Sequence, residues 1–259
     1  MSLVSSLLAL TLTVAAAAPA PLTVCADPNN RPFSHVREDG FENRIAALVA
    51  RDLGRPLAYV WAPQRRGFIR TTLLARRCDL IMGVSRGSGA LLTTRPYYRS
   101  SYVFITRRER RLRIQSFDDP RLERLTIGIQ LTGGDYDNPP PAHALAARHL
   151  ADNVRGFTVY GDYSRPDPQR ELVDAVAHRQ VDVAVMWGPT AGYFAARAPV
   201  ALDVTPVHDN ALASVPFAFE IAIGVRRDED ALRTALDRVL VRRATEIRRI
   251  LRSYGVPLS

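Results

Sequence analysis

The sequence predicts an α/β fold of two lobes, each an open, mostly parallel sheet flanked by helices. Short apolar strands alternate with amphipathic helices from residue 22 to residue 84. The same alternation returns from residue 126 to residue 186, and two extended stretches could carry the chain between the halves. The lobes that follow are residues 21–105 with 221–259, and residues 106–220. At 259 residues and 47% hydrophobic content the chain can bury cores of that size, which excludes disordered and fibrous classes.

Each element has its own signal. Leu22 to Ala26 is a short apolar strand, closed by the polar turn Asp27-Pro28-Asn29-Asn30 and by Pro32. Phe41, Ile45, Leu48, Val49 and Leu53 recur at helical spacing, with Gly54 as the stop. Leu57 to Trp61 reads as a second strand, and Pro63-Gln64-Arg65-Arg66-Gly67 leads into a helix holding Phe68, Ile69, Leu73 and Leu74. Asp79 to Val84 is a third strand, apolar on both faces as a parallel strand under helices must be.

In the second half, Thr126 to Gln130, Gly156 to Tyr160 and Val181 to Met186 read as strands, with helices near Ala142 to Leu150 and over Gln169 to His178. The words Arg76-Arg77-Cys78-Asp79 and Arg179-Gln180-Val181-Asp182 match in plan: a basic helix end, a turn, an Asp, then a strand. Tyr102 to Arg107 and Phe217 to Val225 are the two connections between lobes. Leu232, Leu236, Val239, Leu240, Ile247, Ile250 and Leu251 mark one long amphipathic helix or two short ones, expected against the first lobe with arginines outward.

Leu3 to Ala18 is an apolar and small-residue run followed by Pro19, Ala20 and Pro21, and residues 1–20 read as a secretory signal peptide, although no Arg or Lys precedes the run. The run is shorter than the roughly 20 residues that span a bilayer, and no later segment approaches that length, so stable membrane insertion is not expected. The formal charge of +9 comes entirely from Arg, there being no Lys. It reads as a solvated surface or as steering toward an acidic partner protein or an anionic ligand. The arginines are dispersed and not interleaved with stacking aromatics, which argues against nucleic acid. Cys25 and Cys78 fall in the first and third strands and could form a disulfide in an oxidising compartment; two buried free thiols are the alternative.

Pro32-Phe33, Gly40-Phe41-Glu42, the two Asp-led strands, Pro96-Tyr97-Tyr98 and Ser253-Tyr254-Gly255 together resemble the family three extracellular solute-binding proteins, from about residue 22 onward. A narrower set is closer still: the MoxJ and XoxJ type proteins associated with quinoprotein methanol dehydrogenases. The matching words are Cys25-Ala26-Asp27-Pro28-Asn29-Asn30, Gly40-Phe41-Glu42-Asn43, Pro63-Gln64-Arg65-Arg66-Gly67-Phe68, Arg77-Cys78-Asp79, and Thr94 through Tyr102. The resemblance implies the two-lobed periplasmic binding protein fold (type II) and a periplasmic accessory role beside a methanol dehydrogenase that uses pyrroloquinoline quinone (PQQ). No cofactor of its own is implied.

Two departures bear on the ligand. The amino-acid binders of the family usually hold the ligand carboxylate with an Arg in a Thr-Pro-Glu-Arg-like word after the third strand; here that stretch reads Ser85-Arg86-Gly87-Ser88-Gly89-Ala90. They usually hold the ammonium with an Asp whose place here is Trp187. Without that clamp a zwitterion would be buried unpaired, so a free amino acid is not expected as ligand.

Loops after the strands should line the cleft. The candidates are Asp27, Asn29, Phe33, Arg65, Arg66, Arg86, Asp135 and Trp187. Arg65 and Arg66 read as an anion clamp or as solvated arginines at a helix entry. Trp187 reads as a stacking surface or as a filler of the cleft. Tyr97, Tyr98 and Tyr102 read as hinge packing or as a binding platform. Gly134-Asp135-Tyr136-Asp137-Asn138 briefly imitates a calcium loop, but Pro139 to Pro141 follow where the loop should turn, and the five histidines lack ligand spacing, so no metal is expected. No nucleophile with its base is legible; a lyase or dehydratase would need a cleft carboxylate, for which Glu42, Asp79 and Glu220 are the residues to check. The expectation is a non-enzymatic partner of a periplasmic methanol dehydrogenase. The alternative is the receptor of an ABC transporter for a small organic ligand other than a free amino acid.

Overall fold

The structure, a computed structural model, describes residues 19–131, 139–158, 163–208 and 216–258. The chain runs β1 (Leu22–Ala26), β2 (Asn29–Asn30), β3 (Ser34–His35), α1 (Phe41–Asp52), β4 (Leu57–Trp61), α2 (Phe68–Thr71), β5 (Leu80–Ser85), β6 (Leu92–Thr93) and β7 (Tyr98–Arg107). It continues β8 (Ile127–Leu131), α3 (Pro140–Ala146), β9 (Val154–Thr158), α4 (Glu171–Ala177), β10 (Val183–Trp187), α5 (Gly188–Ala195), β11 (Leu202–Pro206), β12 (Ala218–Val225), α6 (Asp230–Arg242) and α7 (Ala244–Ser253).

Strand order β4-β1-β5-β12-β7-β10-β8-β9 links both lobes, with β11 on β7 and β6 on β12. The first lobe pairs β1 parallel with β4 and β5, and the second pairs β8 parallel with β9 and β10. β7 serves both: Tyr98 to Ser101 pairs antiparallel with β12, and Tyr102 to Thr106 pairs antiparallel with β10. β12 in turn reaches β5 through Ile221 to Val225.

The likeness of the two Asp-led words has a physical basis. Asp79 N donates to Thr23 O at 2.8 Å, and Asp79 Oδ2 accepts from Thr23 N at 3.0 Å. Asp182 repeats this with Thr126, at 2.9 Å for each bond. The residue three positions earlier, Arg76 or Arg179, adopts a left-handed backbone in the turn that leads into the strand in each lobe. Each Asp thus pins the start of its lobe's first parallel strand, and each is paired to an arginine, Arg55 or Arg110.

The C-terminal amphipathic segment forms two helices, as one of its two readings had it. Leu236, Val239, Leu240, Ile247 and Leu251 pack with Phe41, Ile45, Leu48 and Val49 of α1 on the first-lobe sheet. Apolar burial of this kind stabilises by about 25 cal/mol per Å². The second lobe has a cluster on each face of its sheet, one around Phe104, Phe117 and Ile127 and one around Ile105, Leu172 and Val176.

Two elements depart from expectation. The helix after Gly67 ends at Thr71, because Thr72 leaves helical dihedrals (φ −117°, ψ −81°) and the rest to Arg77 is turn. Trp187 to Thr190 is not a loop: α5 begins at Gly188, where Pro189 in the first turn has no N–H that the helix would leave unpaired. Gly188 is needed because a Cβ there would lie 2.5 Å from Ser101 O.

Cys25 and Cys78 form a disulfide, with Cα atoms 5.6 Å apart and a sequence separation of 53. Cys25 lies in β1, and Cys78 lies in the turn just before β5 rather than within it. The bridge caps a small cluster of Phe68, Leu73, Ile81 and Leu91. Closing a loop of this size should contribute about 4 kcal/mol on the chain-entropy account. Cys25→Ser with Cys78→Ser is therefore expected to lower the thermal midpoint clearly in calorimetry, and an unchanged midpoint would contradict a stabilising bridge.

Candidate functional site

The loop after β1 is held from three sides. Asp27 is 3% exposed; its Oδ1 accepts from Asn29 N at 2.8 Å, and its Oδ2 accepts from Gln64 N at 2.7 Å and from Tyr163 Oη at 2.6 Å. The last of these bonds crosses from the first lobe to the second. Asn29 Nδ2 also crosses, donating to Arg165 O at 2.9 Å. Gln169 Nε2 returns the contact, donating to Asn29 O at 3.0 Å and Asn30 Oδ1 at 3.1 Å. Arg31 completes the seam, with Nη2 on Asp39 at 2.7 Å and Nη1 on Asp167 at 3.0 Å. Asp39 and Asp167 raise the Arg31 pKa above its ordinary value, and Arg31 lowers that of Asp39.

The same loop builds the start of α1. Phe41 N donates to Pro32 O at 2.8 Å and Glu42 N to Phe33 O at 3.0 Å, so the orphan donors of the helix are met by backbone. Gly40 permits this approach, since a Cβ there would sit 2.0 Å from Phe33 O. The result turns Glu42 inward, 7% exposed, with Oε1 accepting from Tyr97 Oη at 2.8 Å, while Tyr97 Oη accepts from Gly83 N at 3.1 Å. Burial pushes the Glu42 carboxyl up to about 7, against a smaller opposing effect of the Tyr97 hydrogen bond. Burial also pushes the Tyr97 phenol well above its ordinary value, with the Glu42 charge adding to it.

Between the lobes lies a cavity of about 120 Å³ lined by Asn30, Phe33, Glu42, Gln64, Met82, Gly83, Tyr98, Trp187 and Ile221. That is close to the roughly 150 Å³ of an engineered cavity that takes benzene and well below the roughly 300 Å³ of ordinary ligand sites. Its walls mix aromatic and aliphatic side chains with the polar Asn30 and Gln64, and the one carboxyl among them is Glu42. A second hollow of about 20 Å³ behind Glu42 is lined by Asp27, Ser34, Asn43 and Tyr59 among others.

The structure distributes the cleft candidates unevenly. Asp27 and Asn29 bond to the second lobe, as above. Phe33 and Trp187 line the cavity; the Trp187 ring packs edge-on to Tyr102 at 5.5 Å and to Phe219 at 5.9 Å. Arg65 lies over the Tyr163 ring at 5.3 Å, and Arg66 beside it is exposed. Arg86 pairs with Glu220 at 2.9 Å, both partly exposed, and Asp79 is absorbed by Thr23 and Arg55. Asp135 and the calcium-like word around it lie outside the described residues, as does the apolar N-terminal run to residue 18. Among the described residues no group of His, Cys, Asp and Glu could hold a metal, and no helix is long and apolar enough to cross a membrane.

Tyr163, Asp167 and Gln169 were not among the residues read from the sequence. They lie 136 to 140 positions from their partners, and the only local sign was the Pro166 and Pro168 turn.

This arrangement of lobes, crossing strands and a cavity at the strand ends is that of a binding protein, and the chain belongs to the bacterial extracellular solute-binding proteins, family 3, whose pattern matches residues 22–256. Within that family it is similar to the protein MoxJ of Methylorubrum extorquens, at 33% identity over 245 residues, covering 92% of this chain and 81% of that one. The crystal structure of periplasmic binding protein XoxJ from Methylobacterium extorquens AM1 superposes with a TM-score of 0.76 at 35% identity, over 92% of this chain and 99% of that one. MxaJ from Methlophaga aminisulfidivorans MPT gives a TM-score of 0.80 at 26% identity, over 92% and 100%. The resemblance read from the sequence words holds at both the wide and the narrow level.

Two outcomes test the site. Because the folded Glu42 value of about 7 lies above its ordinary 4.5, the ionised form is disfavoured by folding. Stability is unaffected below pH 4.5, falls as pH rises through 7, and by pH 8 has lost roughly 3 kcal/mol. Glu42→Gln should flatten this fall in denaturation curves taken from pH 4 to pH 8, and parallel curves for both proteins would refute the buried-carboxyl account. Separately, Asp167→Asn with Tyr163→Phe should raise the radius of gyration in small-angle scattering as the lobes part. An unchanged radius would mean other contacts hold them.

Proposed function

We propose that this chain is an exported, non-catalytic accessory protein that binds a periplasmic PQQ-dependent methanol dehydrogenase during its assembly or activation. The observation that carries this reading is the likeness to MoxJ and XoxJ over nearly the whole chain, in a protein that uses its own side chains where a transported solute would be clasped. Asp27, Asn29, Asn30 and Arg31 are spent on the second lobe. The lobes are taken as residues 21–105 with 221–259 and residues 106–220, exchanging along β7 and β12.

The 120 Å³ cavity supports a second reading, a receptor for a small organic ligand other than a free amino acid. A carboxyl lifted to about 7 is also what an acid–base enzyme would need. Against that, among the described residues the group bonded to the Glu42 carboxyl is the Tyr97 hydroxyl, which burial pushes well above its ordinary pKa and so makes a poor proton relay. That supports binding over catalysis, with Phe33 and Trp187 as walls of the cavity and Asp27 and Asn29 held in the bonds to the second lobe.

The test is affinity capture by the tagged mature protein from host periplasm at low and high salt, with mass spectrometry of what is retained. A quinoprotein dehydrogenase subunit is expected at low salt and depleted at high salt. Capture of no such subunit, with thermal stabilisation by a small metabolite instead, would return the protein to the transport receptors.

A further inference from the structure

Where β7 begins beside the two C-terminal helices, the first lobe leaves a groove of about 540 Å³ that shares only Tyr98 with the lining of the cavity just described. Its floor is apolar, made by Pro96, Leu240, Ile247 and Leu251. Its rim carries four exposed arginines, Arg95, Arg99, Arg248 and Arg252, the last two one helical turn apart on α7. Val241 and Leu258, 54% and 39% exposed, stand on the same rim and are two of the few large apolar side chains left in solvent among the described residues.

Three of these arginines carry a charge that no carboxylate pairs among the described residues. Elsewhere the arginines are commonly tied: Asp52 takes Arg242 and Arg243, Asp237 takes Arg233, and Glu246 faces Arg243 at 3.6 Å. Those are the carboxylates of the helices nearest the groove, and all are engaged. Among the described residues Arg95, Arg248 and Arg252 have no carboxylate partner for their side chains. A concave apolar floor inside a ring of cations is matched by a segment with carboxylates along its edges and an apolar side chain at its centre. The lining also separates this surface from a nucleic-acid face, since of its two aromatic rings Tyr98 is only 6% exposed and Tyr97 is tied to Glu42, so neither offers an open stacking platform.

We infer that this groove is the docking surface for an acidic, apolar-centred segment of a partner protein. As the dehydrogenase's landing site it rests on the accessory reading above; as an acidic-segment site it stands on the groove alone. Each exposed pair is worth little singly, so the contact should be salt-sensitive and should fail when several charges are reversed together.

The experiment measures binding of the intact mature protein to purified dehydrogenase holoenzyme by interferometry, and, in parallel, to a synthetic helix of Glu and Leu and to phosphatidylglycerol vesicles. Arg248→Glu with Arg252→Glu alters only solvent-facing side chains, and Arg113→Glu with Arg124→Glu on the other lobe matches its net charge. The groove variant is expected to lose about tenfold or more in affinity for the dehydrogenase while the control keeps it. Equal loss in both variants, or none in either, overturns the groove. If the wild type ignores the dehydrogenase, the accessory reading falls. The groove is then decided by the synthetic helix: binding abolished by Arg248→Glu with Arg252→Glu supports it, and no binding overturns it. Vesicle binding that the groove variant abolishes, without helix binding, overturns it in favour of a lipid surface.

Discussion

The contact on which the arrangement of the two lobes depends is the buried carboxylate of Asp27. Its two oxygens accept from the backbone of Asn29 and Gln64 and from the Tyr163 hydroxyl, so one residue shapes its own turn, anchors the loop after β4 and reaches the other lobe. A buried carboxylate must have its lone pairs met, and here every partner belongs to the chain. The neighbouring Asn29, Asn30 and Arg31 extend this to Arg165, Gln169 and Asp167. In proteins that close on a solute, the solute supplies much of that bonding; this chain has substituted parts of itself.

The cavity left over follows from the same economy. With the β1 loop committed to the seam, the cavity at the strand ends is lined by Phe33, Met82, Tyr98, Trp187 and Ile221 together with Asn30, Gln64 and the Tyr97-bonded Glu42, a wall of mixed polarity around one acid. Trp187 stands where a counter-charge for an ammonium is expected in amino-acid binders, and Arg86 is drawn aside to Glu220. The pocket is small, and among the described residues its lining holds one carboxyl, Glu42, and no arginine.

Periodicity made the sheet strands and α1 readable, because a strand buried on both faces or a helix buried on one leaves a repeating signal in composition. β11 escaped, since Leu202–Pro206 interleaves Asp and Thr with its apolar residues and so shows no run of buried positions. α5 escaped because Gly-Pro reads as a turn, although Pro is also tolerated where a helix starts. Asp27 and Asn29 stood out as polar residues after a strand, yet their partners in the other lobe did not. Hydrogen bonds between side chains more than a hundred positions apart impose no period on either segment, so residue pattern carries no trace of them. The pairing of Asp79 with Thr23 and of Asp182 with Thr126 was visible only as a repeated word, without its meaning.

The first lobe is closed by the last helices. Leu22 and Val24 share a core with Ile221, Leu236, Leu251 and Val256, so the earliest strand to leave the ribosome waits for nearly the whole chain before it can be covered. The second lobe is encoded within a nearly continuous stretch and can complete sooner. Order of synthesis and order of completion therefore run in opposite senses, and a chain of this design emerges with its leading strand uncovered and Cys25 waiting for Cys78 to come into register.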